Sequence, residues 1–177
     1  MKVASITLPA SCAQRVGNEL SARISGCGET SLIGKPLLGL IASRECPGNV
    51  LLATLERVPE WVKAGRIIVS GFHSPLEQQV LRSLLRRNGR AVKVLARCFS
   101  ESGYRLAKEE KDAFANGHLL IISAFGIDTP RVTRASSIKR NELVIALSSE
   151  VVAPFISVGS PLEELLAKHK AKSSNPE

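Results

Sequence analysis

Aromatic side chains are scarce in this chain, at 4% of 177 residues, and the four cysteines (Cys12, Cys27, Cys46 and Cys98) never approach as Cys-x-x-Cys. Such wide spacing points to reduced thiols rather than a disulfide framework. The three histidines, His73, His118 and His169, lack metal-ligand spacing, so no zinc or iron site and no cofactor is expected. No apolar run is long enough to cross a bilayer. Pro9 and Ser11 interrupt the apolar N-terminus, which excludes the uninterrupted core of a signal peptide. These absences leave a cytoplasmic protein without membrane contact as the simplest expectation.

What is present is apolar material for a core and an excess of positive charge. Hydrophobic residues make up 44%, the formal charge is +8 and the pI about 9.7, which favours polyanionic partners such as nucleic acid or nucleotides. Part of the excess sits in Lys168-His169-Lys170-Ala171-Lys172, and residues 169–177 are expected to be a basic flexible tail. Charge by itself therefore identifies no ligand.

The segment Ile67-Ile68-Val69-Ser70-Gly71-Phe72-His73-Ser74-Pro75-Leu76-Glu77 reads as a buried strand that turns directly into a well-capped helix. Ser74 suits the N-cap, Pro75 the first helical position, and Glu77 the capping box. A strand feeding a helix N-terminus aims backbone N–H groups at one point, where open α/β proteins bind phosphate. From Pro36 onward, strand-length apolar runs (37–42, 67–70, 91–96, 119–125, 151–158) alternate with helical patterns (50–64 kinked at Pro59, 75–87, 107–115, 135–147, 161–168). This predicts an α/β fold, Rossmann-like and doubly wound, with a mostly parallel sheet and helices on both faces. Residues 1–36 are assigned to a small N-terminal extension, with a strand over 3–8, a helix over 10–23 and turns at Gly26, Gly28 and Gly34. Residues 37–168 form the domain. Ser160-Pro161-Leu162-Glu163 repeats the cap of Ser74–Glu77, placing a second helix N-terminus at the same sheet edge.

Loops converging there carry the candidate ligand contacts. Arg44 suits a bidentate phosphate clamp, or else an ion pair at the sheet edge. Ser43 and Ser70 offer hydroxyls to the same anion or satisfy their own turns, and Gly71 permits close backbone approach or simply makes the turn. Phe72 and Phe125, each at a strand's carboxyl end, offer base stacking or core packing. His73 is an acid–base group or a base-reading donor, or else a structural or merely exposed residue. Arg131, Arg134, Lys139 and Arg140 with Asn141 form the densest basic stretch outside the tail, suited to a phosphodiester backbone. Glu77 is explained by the cap, and no catalytic residue is assigned.

Four motifs in order resemble the DNA-processing protein A (DprA, or Smf) family of Rossmann-like, SLOG-type domains. Ala42-Ser43-Arg44 stands at the family's Gly-Ser-Arg, Ser70-Gly71 at its second strand and turn, Arg140-Asn141 at its Arg-Asn pair, and Gly159-Ser160 before the last helix. The chain departs at Ala42, at Glu142 after Arg140-Asn141, and at Ser74–Glu77 in place of Gly-Ile-Asp. It is more similar to short, free-standing relatives with a Gly-Phe-His-Ser-Pro turn. The resemblance implies a nucleic-acid-binding protein that takes single-stranded DNA in a basic groove, acts in DNA processing, uptake or recombination, and forms a homodimer. It adds Gly159 and Ser160 to the binding residues. A nucleotide-binding sensor using the same crevice is the alternative. A phosphoribohydrolase stands last, because Gly126-Ile127-Asp128-Thr129-Pro130 replaces the Gly-Gly-x-Gly-Thr-x-x-Glu run of those enzymes.

Overall fold

The computed structural model describes residues 2–100 and 103–173, for 171–173 the backbone alone. Its strands are β1 (Ala4–Ser5), β2 (Ser25–Gly28), β3 (Leu37–Leu40), β4 (Ile67–Ser70), β5 (Arg90–Val94), β6 (Leu119–Ser123) and β7 (Glu150–Val152). The helices are α1 (Ala10–Val16), α2 (Asn18–Ser21), α3 (Gly48–Glu56), α4 (Val58–Lys63), α5 (Pro75–Arg86), α6 (Lys108–Ala115), α7 (Arg134–Leu147) and α8 (Pro161–Ser173). All seven strands lie in one sheet, in the order β1-β2-β6-β5-β4-β3-β7. The pairs from β6 through β5, β4 and β3 to β7 are parallel. The fold is thus the expected α/β one, with a mostly parallel sheet.

Successive strand residues feed opposite cores, as the two-residue period requires. Ile67, Val69, Leu120 and Ile122 join one apolar cluster with residues of α1 and α7, and Leu162, Leu165 and Leu166 of α8 pack against it. Ile68, Leu119 and Ile121 join the other with α4, α5 and α6. Such strands are buried on both faces, which explains their unbroken apolar character.

Several local readings are corrected, beginning with the single helix expected over 10–23, which is two helices, α1 and α2, separated at Gly17. The glycines of Ser25–Gly28 form strand β2 rather than turns, and β2 runs antiparallel between β1 and β6. A Cβ on Gly26 would stand 2.5 Å from Ile6 Cδ1 and 2.6 Å from the Ile121 carbonyl oxygen. Glycine is what lets this strand close against its neighbours. The extension therefore continues the sheet. The strand expected over 151–158 stops at Val152, just before Pro154, which has no N–H to give a ladder. The helical region over 50–64 is two helices, α3 and α4, separated at Arg57. The tail's first residues continue α8 to Ser173; residues 174–177 lie outside the described residues.

Strand order fixes where a crevice opens. Strand β3 leads to α3, which packs beside α5 on one face. Its parallel neighbour β7 leads to α8, which packs on the other face. Chains leaving adjacent strands to opposite sides make a topological switch point at the carboxyl edge, the general ligand site of open α/β sheets.

Candidate functional site

A cleft of about 730 Å³ lies at this switch point. Its walls come from the segment after β3 (Ala42, Ser43, Arg44, Glu45), the turn after β4 (His73, Ser74, Glu77), the start of α7 and the loop entering α8 (Ser157, Ser160, Pro161). Of the sequence candidates it gathers Ser43, Arg44, His73, Arg134, Arg140, Asn141 and Ser160.

Glu77 organises the floor. Its Oε1 accepts from the Ala42 N–H at 3.0 Å, and its Oε2 from the N–H groups of His73 at 2.8 Å and Ser74 at 3.3 Å. Ser74 Oγ in turn accepts from the Glu77 N–H at 3.3 Å, completing the capping box. The bond to Ala42, 35 residues away in sequence, goes beyond a cap. It fastens the end of β3 to the turn after β4, a role that sequence reasoning missed because no local pattern announces it.

Arg140 lies above that floor. The residue is 7% exposed, and its Nε donates to Asn141 Oδ1 at 2.8 Å. Its guanidinium occupies the space a Cβ on Gly71 would fill. Gly71 has no left-handed φ, so glycine is required here by the neighbouring guanidinium and not by the turn. Burial pushes the Arg140 pKa down and Glu77 pulls it up; a guanidinium remains a cation throughout.

At the exposed rim, Arg44 Nη2 is 2.9 Å from His73 Nε2. Arginine has only donors, so Nε2 accepts and the ring proton sits on Nδ1. Burial, then Arg140 and Arg44, hold the His73 pKa below its ordinary value, against the opposing pull of Glu77. His73 is therefore a neutral imidazole at neutral pH.

Three helix N-termini face the cleft, and they are not equivalent. That of α5 is occupied by the Glu77 carboxylate. At α8, Ser160 Oγ accepts from the Glu163 N–H at 3.2 Å, and Glu163 Oε2 accepts from the Gly159 N–H at 2.7 Å. Only α7 begins without an acidic residue in its first turn. It is capped by neutral groups, with Thr133 Oγ1 accepting from the Ser136 N–H at 3.0 Å. Its partial positive charge is thus the one left for an outside anion, and Arg134 stands beside it.

The remaining candidates lie elsewhere. Ser70 is fully buried and Phe72 is 4% exposed in the core. The same hydrogen bond is made twice: Ser70 Oγ accepts from the Phe72 N–H, and Ser123 Oγ from the Phe125 N–H, both at 3.1 Å, but Phe72 alone takes a left-handed φ of 47°. Ser43 Oγ accepts from the Ser157 N–H at 2.9 Å, pinning the α8 loop to the end of β3. Gly159 has its N–H on Glu163. Helical periodicity divides the basic stretch. Arg134, Ser137, Arg140 and Asn141 face the switch-point cleft, whereas Ala135, Ser136, Lys139, Glu142 and Leu143 face a second cleft of about 740 Å³. Phe125 and Arg131 line that second cleft. Among the described residues no cluster of three His, Cys, Asp or Glu side chains suits a metal ion, and no helix is long and apolar enough to cross a membrane.

Comparison with curated proteins finds no match. Among solved structures, DNA processing protein A from Streptococcus pneumoniae superposes with a TM-score of 0.73 at 16% identity, over 97% of this chain and 60% of that one. A structure concerning the single-stranded DNA binding mode of DNA processing protein A from Helicobacter pylori gives 0.76 at 21% identity, over 99% and 79%. This chain thus spans about three-fifths of the first relative's length and about four-fifths of the second's. The family model described as DNA recombination-mediator protein A matches residues 10–154, and the chain belongs to that family.

Proposed function

We propose that this protein binds single-stranded DNA, with the strand's phosphates in the switch-point cleft, and serves in DNA processing. The observation that carries the reading is that Arg44, Arg134 and Arg140 line one cleft with the start of α7, which alone of the three helix N-termini there has no acidic residue in its first turn. Arg140 is already held by Gly71 and Asn141, so less freedom is lost when it meets a phosphate. Arg44 is free to turn from the neutral His73 towards an anion. The relative from Helicobacter pylori, whose structure concerns single-stranded DNA binding, supports the choice of ligand.

Fluorescence anisotropy with a labelled single-stranded oligonucleotide, across a salt series, tests this. Three arginines that each neutralise one phosphate give a slope of log K against log[salt] of about −2, at about −0.7 per phosphate on single strands. Negligible affinity at low salt refutes the proposal. Saturable thermal stabilisation by a mononucleotide, without affinity for the oligonucleotide, identifies the cleft as a nucleotide sensor instead.

A further inference from the structure

The second cleft is as large as the first but chemically different; the two lie on opposite sides of the N-terminal part of α7, residues 134–143, and meet at Thr133, which lines both. Its three cations, Arg23, Arg131 and Lys139, are matched by three carboxylates, Glu19, Asp128 and Glu142. A neutral lining gives a phosphate no net attraction. It offers mixed donors and acceptors, together with the half-buried ring of Phe125. On the same loop Ile127, outside the cleft lining, is 94% exposed. Planar, uncharged groups with hydrogen-bonding edges match this combination.

We propose that the second cleft is a nucleobase subsite for the strand whose phosphates occupy the first. The backbone passes over the N-terminal turn of α7, with phosphates on the cationic side. A base turns to the neutral side and stacks on Phe125, within reach of Lys139 and Glu142. The subsite is sequence-tolerant, since every base has a π-face. It makes a polynucleotide, rather than a single nucleotide, the better ligand. This inference rests on the strand-binding reading above.

The test compares a single-stranded oligonucleotide with an abasic chain of equal length, which keeps every phosphate and lacks the bases. Phe125→Ala should weaken binding of the base-bearing strand about fivefold to a hundredfold, leave abasic binding unchanged, and leave the salt slope unaltered. Phe125→Tyr, which keeps the ring, should bind as the parent does. If Phe125→Ala does not fold, Phe125→Leu, of similar bulk without the π-face, should show the same selective loss. Equal effects on both probes, or no effect on either, overturn the subsite while leaving the phosphate cleft standing. Failure of the parent protein to bind either probe overturns both.

Discussion

Replacing Gly71 with Ala isolates the contact that shapes the cleft. Gly71 has an ordinary φ, so alanine fits the backbone, and by itself would stabilise by about 0.4–1 kcal/mol through the unfolded chain. The new methyl would overlap Nη1, Cζ and Nε of Arg140. The guanidinium must swing away, breaking its 2.8 Å bond to Asn141 and leaving the side of Glu77. Loss of this part-buried bond to a charged group costs about 1.5–3 kcal/mol, comparable to the cost of overpacking a core. For a chain of this size that lowers Tm by about 3–12 °C. Thermal unfolding of Gly71→Ala, Arg140→Ala and the double variant closes a cycle. With Arg140 already truncated, Gly71→Ala should be neutral or stabilising, by up to about 1 kcal/mol. An equal penalty in both backgrounds would refute the claim that the guanidinium is what excludes the methyl.

Other consequences are as direct. Glu77→Gln keeps the shape but leaves one oxygen for three backbone N–H groups; it should cost about 1–3 kcal/mol, read in urea unfolding, and an unchanged midpoint would count against the Glu77 link. The folded His73 pKa lies below its ordinary value, so the unfolded chain takes the proton first and the His73 contribution to stability falls as pH drops below about 6.5. Subtracting the stability–pH curve of His73→Gln from that of the parent should expose this loss, and superimposable slopes would refute it. Arg44→Ala should make the salt slope for an oligonucleotide shallower by about 0.7; an unchanged slope would remove Arg44 from the phosphate path.

Sequence alone revealed those parts whose causes are local. Ile67–Ser70 and the start of α5 at Pro75 were legible because strand length, cap and capping box all lie within eleven residues. Strand β2 was hidden because its glycines read as turns, and only the closeness of Ile6 and Ile121 explains them. Glu77 was legible as a cap, but its bond to the Ala42 N–H depends on the pairing of β3 with β4. The basic stretch was legible as charge. Its division between two clefts follows from the helical period, yet the period has no meaning until α1, α2 and α8 supply the opposing walls. Phe72 and Phe125 share a serine-to-backbone hydrogen bond, but the left-handed φ of Phe72 and the packing of α5 against it place that ring in the core.

The two outermost strands are the shortest in the sheet: two residues in β1 at one border and three in β7 at the other. An exposed border is a template on which another polypeptide can add a strand, and brevity is one way natural sheets blunt it. An incoming strand would find almost no ladder to extend on either side. The sheet is thereby guarded at both borders against edge-to-edge growth.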